Sequence, residues 1–174
     1  KLIRKKTTVA KSKASPRDRK TLASLETLAD GVERAARRKR DPQLDIPSRT
    51  LSNVRYSPRK RIIEMGSNTN QRHLFNLSQA KAYMQTILVG SDCKKLIDQE
   101  KTLSIRGLYY MLKHKIEGTK ENTFEEQSDC DPIIEDVEVM LNSLREELHL
   151  YADKRGDMVG NITIIDQGDQ IDCS

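Results

Sequence analysis

Hydrophobic and polar residues follow a helical period from Leu103 to His114. At about 100° per residue, the apolar side chains share one face, formed by Ile105, Leu108, Tyr109, Leu112 and Ile116. The opposite, polar face carries Arg106, Tyr110 and Lys113. The pattern therefore predicts one helix in which the two adjacent tyrosines differ. Tyr109 belongs to the core, whereas Tyr110 faces solvent beside two cations.

The first 48 residues divide into a basic tail and an amphipathic helix. Residues 1–20 contain nine Lys or Arg and one Asp, a composition typical of a disordered tail. From Thr21 to Arg40, apolar residues form one helical stripe, made of Leu22, Leu25, Leu28, Ala29, Val32 and Ala36. Asp41-Pro42 and Ile46-Pro47 then end the helix and mark a linker. The stripe either packs on this chain or docks on a partner, and the pattern leaves both open.

Residues 49–77 are typical of a short β segment. We expect strands at Thr50–Val54, Arg61–Glu64 and His73–Leu77. A helix is predicted from Ser78 to about Val89, since apolar residues again recur at helical spacing. Gly90-Ser91-Asp92 is expected to break or kink this helix before it continues to Gln99.

After the helices that begin at Ser78 and Leu103, the C-terminal region has a third predicted helix, from Asp131-Pro132 to about Tyr151, because proline favours the first helical position. The period then changes to that of strands, at residues 158–165 and 171–173, around a turn at Asp166–Asp169. Three helices followed by a β-hairpin are typical of a winged helix-turn-helix domain. The expected fold is mainly α with small β, with the winged helix at residues 78–174 preceded by the tail (1–20), the helix and linker (21–48) and the β segment (49–77).

Charge is distributed unevenly around the net value of +5. Residues 1–62 contain 19 Lys/Arg and 6 Asp/Glu, a net charge of +13, and residues 63–174 carry a net charge of −8. The basic half suits a polyanionic partner. The outward positions of the third helix are acidic or neutral, namely Glu135, Glu138, Asn142 and Glu146. Because phosphates repel such a face, we expect the functional face to be the one that carries Tyr110.

Composition excludes several classes of protein. No apolar run is long enough to cross a bilayer, so no membrane partner is expected. Three cysteines, Cys93, Cys130 and Cys173, are odd in number and widely spaced. This spacing argues against a disulfide framework or a zinc site, and for a reducing compartment. The sequence does not begin with Met, and we expect it to be a fragment of a longer protein.

The exposed phenol suggests phosphodiester chemistry. The phenol is a weak nucleophile until a group takes its proton, and cations must hold the non-bridging oxygens of the phosphate. Arg106 lies four residues before Tyr110, one helical turn away, where a planar guanidinium can grip a phosphate at two points. Lys113, His114 and Arg155 are candidate DNA-binding residues.

Several stretches, in the right order, resemble the A subunits of DNA topoisomerase VI of archaeal type, a family that includes the meiotic double-strand-break transesterases. The central match is Ser104-Ile-Arg-Gly-Leu-Tyr-Tyr110. The other similar stretches are Arg49–Val54, Lys81–Thr86, Asn122–Gln127, Asp131–Asp136, Leu144–His149 and Val159–Thr163. The resemblance covers about residues 45–174.

The resemblance implies a catabolite-activator-like winged helix with Tyr110 as the nucleophile and Arg106 as the motif arginine. The implied reaction is ATP-dependent passage of one duplex through a transient double-strand break with 5′-phosphotyrosyl links. In that family Mg²⁺ is held by a toprim domain, which should follow residue 174, and ATP by the partner B subunit of an A2B2 assembly. We therefore expect no metal site in this chain, a wing turn rather than a metal site at Asp166–Asp169, and no cleavage by these 174 residues alone.

Further expectations accompany the resemblance. Gly107 stands where many family members carry an acid, which would form a capping box with Ser104. The amphipathic helix at residues 21–48 is a candidate contact for the B subunit. The expected location is cytoplasmic and DNA-associated, or nuclear in a eukaryote. Two alternatives stay open, a winged-helix regulator without chemistry and a meiotic break-forming transesterase.

Overall fold

A computed structural model describes residues 15–152, 160, 163–166 and 169–172. Within these residues the helices are α1 Pro16–Arg37, α2 Leu77–Asp98, α3 Ile105–Leu112 and α4 Gln127–Leu141, with 3₁₀ turns at Leu51–Asn53 and Arg145–Leu148. The strands are β1 Gln43–Pro47, β2 Val54–Ser57, β3 Ile62–Met65, β4 Thr69–His73, β5 Leu103–Ser104, β6 Leu150–Tyr151, β7 Thr163–Asp166 and β8 Asp169–Asp172. The architecture is therefore mixed, with helices and small sheets.

Each sheet in the described part of the chain has two strands. β1 pairs with β4, β2 with β3 and β7 with β8, all antiparallel. β5 and β6 are parallel, which places the start of α3 beside the segment that follows α4. None of the described helices is long and apolar enough to cross a membrane.

The main hydrophobic core lies between α2, α3 and α4. Its fully buried side chains include Val89, Leu108, Phe124, Ile134, Val137, Leu148 and Leu150. Each of these three helices contributes to the cluster, so the core fixes the orientation of α3. This short helix carries the tyrosine pair.

The first helix begins earlier than predicted. Ser15 caps it, because the Ser15 hydroxyl accepts a bond from the Asp18 backbone at 3.1 Å and the Asp18 carboxylate accepts one from the Ser15 backbone at 3.0 Å. This capping box and Pro16 start the helix five residues before Thr21. Residues 16–20 therefore belong to α1, with Ser15 as its cap, and not to the tail; residues 1–14 lie outside the described part.

The stripe of α1 packs on this chain. Leu25 is 4% exposed and belongs to the main core. Leu28 and Val32 pack against a second cluster formed by Leu44, Ile46 and Tyr83. The structure thus covers at least this part of the stripe internally.

The β segment differs from the prediction in its boundaries. Residues expected to be linker form β1, whose alternating burial places Leu44 and Ile46 inside; the proline at its end concealed this pattern. Residues 51–53 form a 3₁₀ turn, because the Asn53 side chain binds the carbonyls of Ser48 and Asn68 at 2.8 and 3.0 Å. Position 66 has no room for a side chain next to Asn53, because a Cβ there would clash with the Asn53 Oδ1 atom and lie 2.9 Å from the Asn53 carbonyl oxygen.

The strand predicted at His73–Leu77 is also shifted. β4 occupies Thr69–His73, so it begins four residues before the predicted strand and ends at its first residue. Asn76 then caps α2 by accepting a bond from the Ser78 backbone at 3.1 Å, so the helix begins before the expected Ser78.

The second helix runs unbroken through Gly90-Ser91-Asp92, contrary to the prediction. Gly90 is buried, and a Cβ at this position would lie 3.4 Å from a Leu25 methyl carbon. That distance is an ordinary van der Waals contact, so the glycine is not needed for the approach of α1. The helix continues because the neighbouring Val89 and Cys93 are buried in the main core, and such packing stabilises a helix despite a glycine.

The third predicted helix begins earlier and ends sooner. α4 starts at Gln127 and contains Pro132 in its interior. It ends at Leu141 because Asn142 adopts a left-handed conformation with φ of 48°. Apolar residues continue at helical spacing, but they form the 3₁₀ turn and β6 instead.

The final hairpin lies where the pattern predicts one. β7 and β8 pair from Thr163 opposite Asp172 to Asp166 opposite Asp169. Asp166 and Asp169 thus flank the predicted turn. The other residues assigned to these strands, at 158–159, 161–162 and 173, lie outside the described residues.

Candidate active site

The tyrosine helix starts at a defined cap. The Ser104 hydroxyl accepts a bond from the Gly107 backbone N–H at 3.0 Å, which satisfies one of the free donors of the first turn. A Cβ at Gly107 would lie 2.8 Å from a Leu103 methyl carbon and 3.2 Å from the Ser104 hydroxyl. A larger residue at position 107 therefore requires Leu103 to move.

The two adjacent tyrosines face opposite environments. Tyr109 is 7% exposed and belongs to the main core, whereas Tyr110 is 59% exposed. Their rings are 5.1 Å apart between centroids and tilted by 52°. The prediction from helical periodicity is confirmed for both side chains.

Arg106 lies beside the exposed phenol. Its Nη2 atom donates to the Tyr110 hydroxyl at 3.4 Å, a long hydrogen bond between residues one turn apart. The guanidinium carbon also lies 5.8 Å from the centroid of the Tyr110 ring. Both side chains are exposed, so a cation and a phenolic oxygen are presented together at the surface.

Lys113 binds the other tyrosine. Its Nζ atom donates to the Tyr109 hydroxyl and to the Glu125 carbonyl oxygen, both at 2.7 Å. The Tyr109 hydroxyl itself donates to the Glu125 carbonyl at 2.8 Å. Two cations were expected directly beside Tyr110. Arg106 lies there, whereas the ammonium of Lys113 is bonded to the adjacent Tyr109. The sequence contains a signal for this bond, since Tyr109 and Lys113 are four residues apart and such side chains are neighbours on a helix.

The helix ends before His114 and Ile116. The Lys113 backbone is extended, and the Thr123 hydroxyl donates to the Leu112 carbonyl at 2.5 Å. The His114 side chain is exposed, while its backbone N–H donates to the Thr123 hydroxyl at 3.1 Å. His114 therefore lies on the loop after α3 rather than on the helical face of Tyr110. Arg155 lies outside the described residues.

The expected acidic face of α4 is partly neutralised. Arg145 donates to both carboxylate oxygens of Glu138, at 2.7 and 3.1 Å. Glu135 pairs with Arg49 although its side chain is 45% exposed, so both glutamates are part of ion pairs. Asn142 and Glu146 are exposed, as expected.

Two cysteines have unreactive surroundings. Cys93 and Cys130 are fully buried and free. Burial is the largest cause that raises the pKa of each thiol to about 12. Nucleophilic thiolate chemistry is thereby disfavoured at both positions. Among the residues that the structure describes, no three His, Cys, Asp or Glu side chains are grouped so that they could hold a metal ion.

Comparison with known proteins finds relatives that all carry the name of one type of enzyme subunit. The family described as Type IIB DNA topoisomerase matches residues 81–150. The A subunit of type 2 DNA topoisomerase 6 from Pyrococcus horikoshii is 42% identical over 164 residues, which are 94% of this chain and 43% of that protein. The same-named protein of Aeropyrum pernix is 37% identical over 142 residues, 78% of this chain and 36% of that protein.

A similar protein is also found in a plant. The A3 subunit of DNA topoisomerase 6 from Oryza sativa is 30% identical over 129 residues, 74% of this chain and 27% of that protein. The chain spans less than half of the length of the curated relatives it matches. The matched family region includes α3 with both tyrosines. This chain belongs to the family of type IIB DNA topoisomerase A subunits.

Proposed function

We propose that this chain supplies the strand-cleaving tyrosine of a type IIB DNA topoisomerase A subunit. The observation that carries the proposal is the exposed phenol of Tyr110, with the Arg106 guanidinium 3.4 Å from its oxygen. Tyr109, the other member of the pair, is buried and uses its hydroxyl to bind the Glu125 carbonyl. Only Tyr110 of the pair is therefore free to approach a DNA backbone.

The proposed step is a transesterification. The Tyr110 oxygen attacks a phosphorus atom of the duplex, its proton passes to solvent, and a tyrosyl–phosphate bond forms as the bond from phosphorus to the 3′ oxygen breaks. The released 3′ oxygen takes up a proton, and the 5′ end stays covalently linked to the protein. Arg106 would hold the non-bridging oxygens, where negative charge accumulates. Because the new ester conserves the bond energy, attack by the 3′ hydroxyl can reseal the strand.

The surrounding fold is proposed to be a winged helix. Supporting this are the order α2, α3, α4 and a closing antiparallel hairpin, β7–β8. In this arrangement the residues of α3, rather than the ion-paired face of α4, meet the DNA. His114 borders α3 and remains a candidate for phosphate contact together with Arg155, whereas the Lys113 ammonium is bonded to the Tyr109 hydroxyl and the Glu125 carbonyl.

Other components are proposed for the full-length assembly. Mg²⁺ would be bound by a toprim domain of the complete A subunit, and the curated relatives are more than twice as long as the matched segment. ATP would be bound by a B subunit, in an A2B2 assembly that acts on duplex DNA in the cytoplasm or nucleus. The relatives' names favour a topoisomerase over a regulator without chemistry or a meiotic break-forming protein.

The test is covalent adduct formation by Tyr110→Phe in the full-length protein, in complex with its B subunit. We expect no protein–DNA adduct after denaturation with detergent, because the attacking oxygen is gone. Tyr109→Phe is the matched control, since it removes the same atom from the adjacent ring but keeps the Tyr110 oxygen, and adducts should still accumulate by the end point of the reaction. Adducts at the normal level from Tyr110→Phe would contradict the proposal.

A further inference from the structure

The ammonium of Lys113 is held in place although its side chain is exposed. Two acceptors, the Tyr109 hydroxyl and the Glu125 carbonyl, each lie 2.7 Å from Nζ. The Tyr109 hydroxyl closes a triangle by donating to the same carbonyl at 2.8 Å. An exposed lysine normally keeps its rotamer freedom, so two short bonds to a buried tyrosine and a backbone carbonyl indicate a constrained group.

The carbonyl that receives these bonds is itself fixed. The Glu125 carboxylate accepts bonds from the Asn122 backbone N–H at 2.9 Å and from its side-chain amide at 2.8 Å. The adjacent Phe124 is fully buried in the main core. The Thr123 hydroxyl binds the Leu112 carbonyl at the end of α3. The loop therefore presents the Glu125 carbonyl to Lys113 from a rigid base.

The constrained charge lies next to the tyrosine pair. Nζ of Lys113 is 5.2 Å from the centroid of the Tyr109 ring, and that ring is 5.1 Å from the ring of Tyr110. The hydrogen bond with Tyr109 is the largest cause that raises the pKa of Lys113, and the phenol of Tyr110 contributes to the same rise. Lys113 is thus fully charged at neutral pH and within electrostatic reach of Tyr110.

We propose that Lys113 is a positioning residue for Tyr110, acting through Tyr109. The bonds among Lys113, Tyr109 and the Glu125 carbonyl fix the Tyr109 ring, and that ring limits the orientations of the Tyr110 ring packed against it. The inference rests on the proposed function, in which Tyr110 is the nucleophile. Displacements of about 1 Å in a reacting group can cost two orders of magnitude in rate, so a fixed neighbouring ring favours attack.

The experiment measures single-turnover DNA cleavage and duplex affinity separately, in the full-length protein in complex with its B subunit. Lys113→Met and Tyr109→Phe are each expected to slow cleavage about tenfold without changing duplex affinity. The double variant is expected to be no slower than the slower single variant, because both changes break one network. Lys113→Arg, which keeps a charged donor, should recover most of the rate. Lys115→Met, an exposed lysine on the same loop, is the charge-matched control.

Two results would contradict the inference. A normal cleavage rate in Lys113→Met would show that the network does not position the nucleophile. A loss of duplex affinity equal to the loss of rate, with effects that multiply in the double variant, would make Lys113 a phosphate contact instead. Failure of the proposed function is distinguishable, because it would appear as adducts from Tyr110→Phe, whatever the Lys113 variants do.

Discussion

The Nη2 atom of Arg106 lies 3.4 Å from the phenolic oxygen of Tyr110, one turn along the same helix. The two groups are presented to solvent together, since Tyr110 is 59% exposed and Arg106 is also exposed. A phosphate that approaches the phenolic oxygen would meet the guanidinium at the same place. The pair thus combines, on one helical face, the nucleophile and the cation that the proposed reaction needs.

We predict that Arg106→Ala lowers the single-turnover cleavage rate of the full-length assembly by about a hundredfold. The reason is loss of the donors that would stabilise the phosphoryl oxygens in the transition state. Arg106→Lys should lower the cleavage rate less than Arg106→Ala, because lysine keeps the positive charge. It should still be slower than wild type, because lysine lacks the planar pair of donors. Thermal unfolding is the control, since an exposed side chain should change it little. A rate for Arg106→Ala within about twofold of wild type would remove Arg106 from the reaction.

The sequence predicts the facing of the tyrosines because periodicity is a local property. On an eight-residue helix, a shift of one position moves a side chain by about 100°, which separates Tyr109 from Tyr110 clearly. Of the two partners of Lys113, Tyr109 is local, but the Glu125 carbonyl is not. The Glu125 carbonyl lies twelve residues later and is brought back by a loop that Thr123 and Phe124 anchor. The contact between Lys113 and the Glu125 carbonyl cannot be predicted from the spacing of apolar residues, because it depends on the path of this loop.

The predicted boundaries of helices are wrong where a local feature of the structure overrides the spacing of apolar residues. Apolar spacing extends beyond α4, but the left-handed backbone of Asn142 ends the helix. Gly90 was expected to break or kink α2, yet the helix runs through it because the adjacent Val89 and Cys93 pack in the main core with Leu25 of α1. In both cases the deciding factor is a backbone conformation or an interhelical contact, neither of which hydrophobicity encodes.

A buried carboxylate links the β segment to α4. Asp136, with a side chain 7% exposed, pairs with Arg49 at 3.0 Å and with Arg72. Arg72 also donates to the Thr86 hydroxyl at 3.0 Å, which extends the network to α2. We predict that Asp136→Ala lowers the free energy of unfolding by about 1–3 kcal/mol, because it leaves the half-buried guanidinium of Arg72 without its carboxylate partner. Urea unfolding of the 174-residue chain measures this.

Glu135→Ala is the matched control for Asp136→Ala. Glu135 also pairs with Arg49, but its side chain is 45% exposed. Since exposed pairs contribute about 0–1 kcal/mol, the loss should be small. Equal losses for the two variants would show that burial of Asp136 does not govern the network.

The buried thiols should resist alkylation in the folded protein. With the pKa of Cys93 and of Cys130 raised to about 12, chiefly by burial, roughly one thiol in a thousand is ionised at about pH 9. In a Cys173→Ser variant, we expect no iodoacetamide adduct at Cys93 or Cys130 in the native state. Both should react after unfolding in guanidinium. Native-state labelling at either position, read by peptide mass spectrometry, would contradict the buried placement.

The cap of α1 should make stability depend on pH. Burial alone would raise the pKa of Asp18, but bonds from the Ser15 backbone and hydroxyl and from His149 lower it below its ordinary value of 3.8. A carboxylate with a lowered pKa stabilises the fold above its unfolded value, and this contribution is lost as pH falls through the folded value. Asp18→Ala should therefore lower the free energy of unfolding by about 0.3–1 kcal/mol at about pH 5, as expected for loss of a carboxylate near a helix N-terminus.

The same comparison at about pH 3 should show a smaller difference between wild type and Asp18→Ala, since the wild-type carboxylate is then partly protonated. Ser15→Ala provides the companion variant. It removes the hydroxyl that binds the Asp18 backbone at 3.1 Å and one of the bonds that lower the pKa of Asp18. The pH dependence of its unfolding free energy should be weaker than that of wild type. A difference between wild type and Asp18→Ala that is equal at both pH values would mean that the capping box does not stabilise α1 through the charged carboxylate.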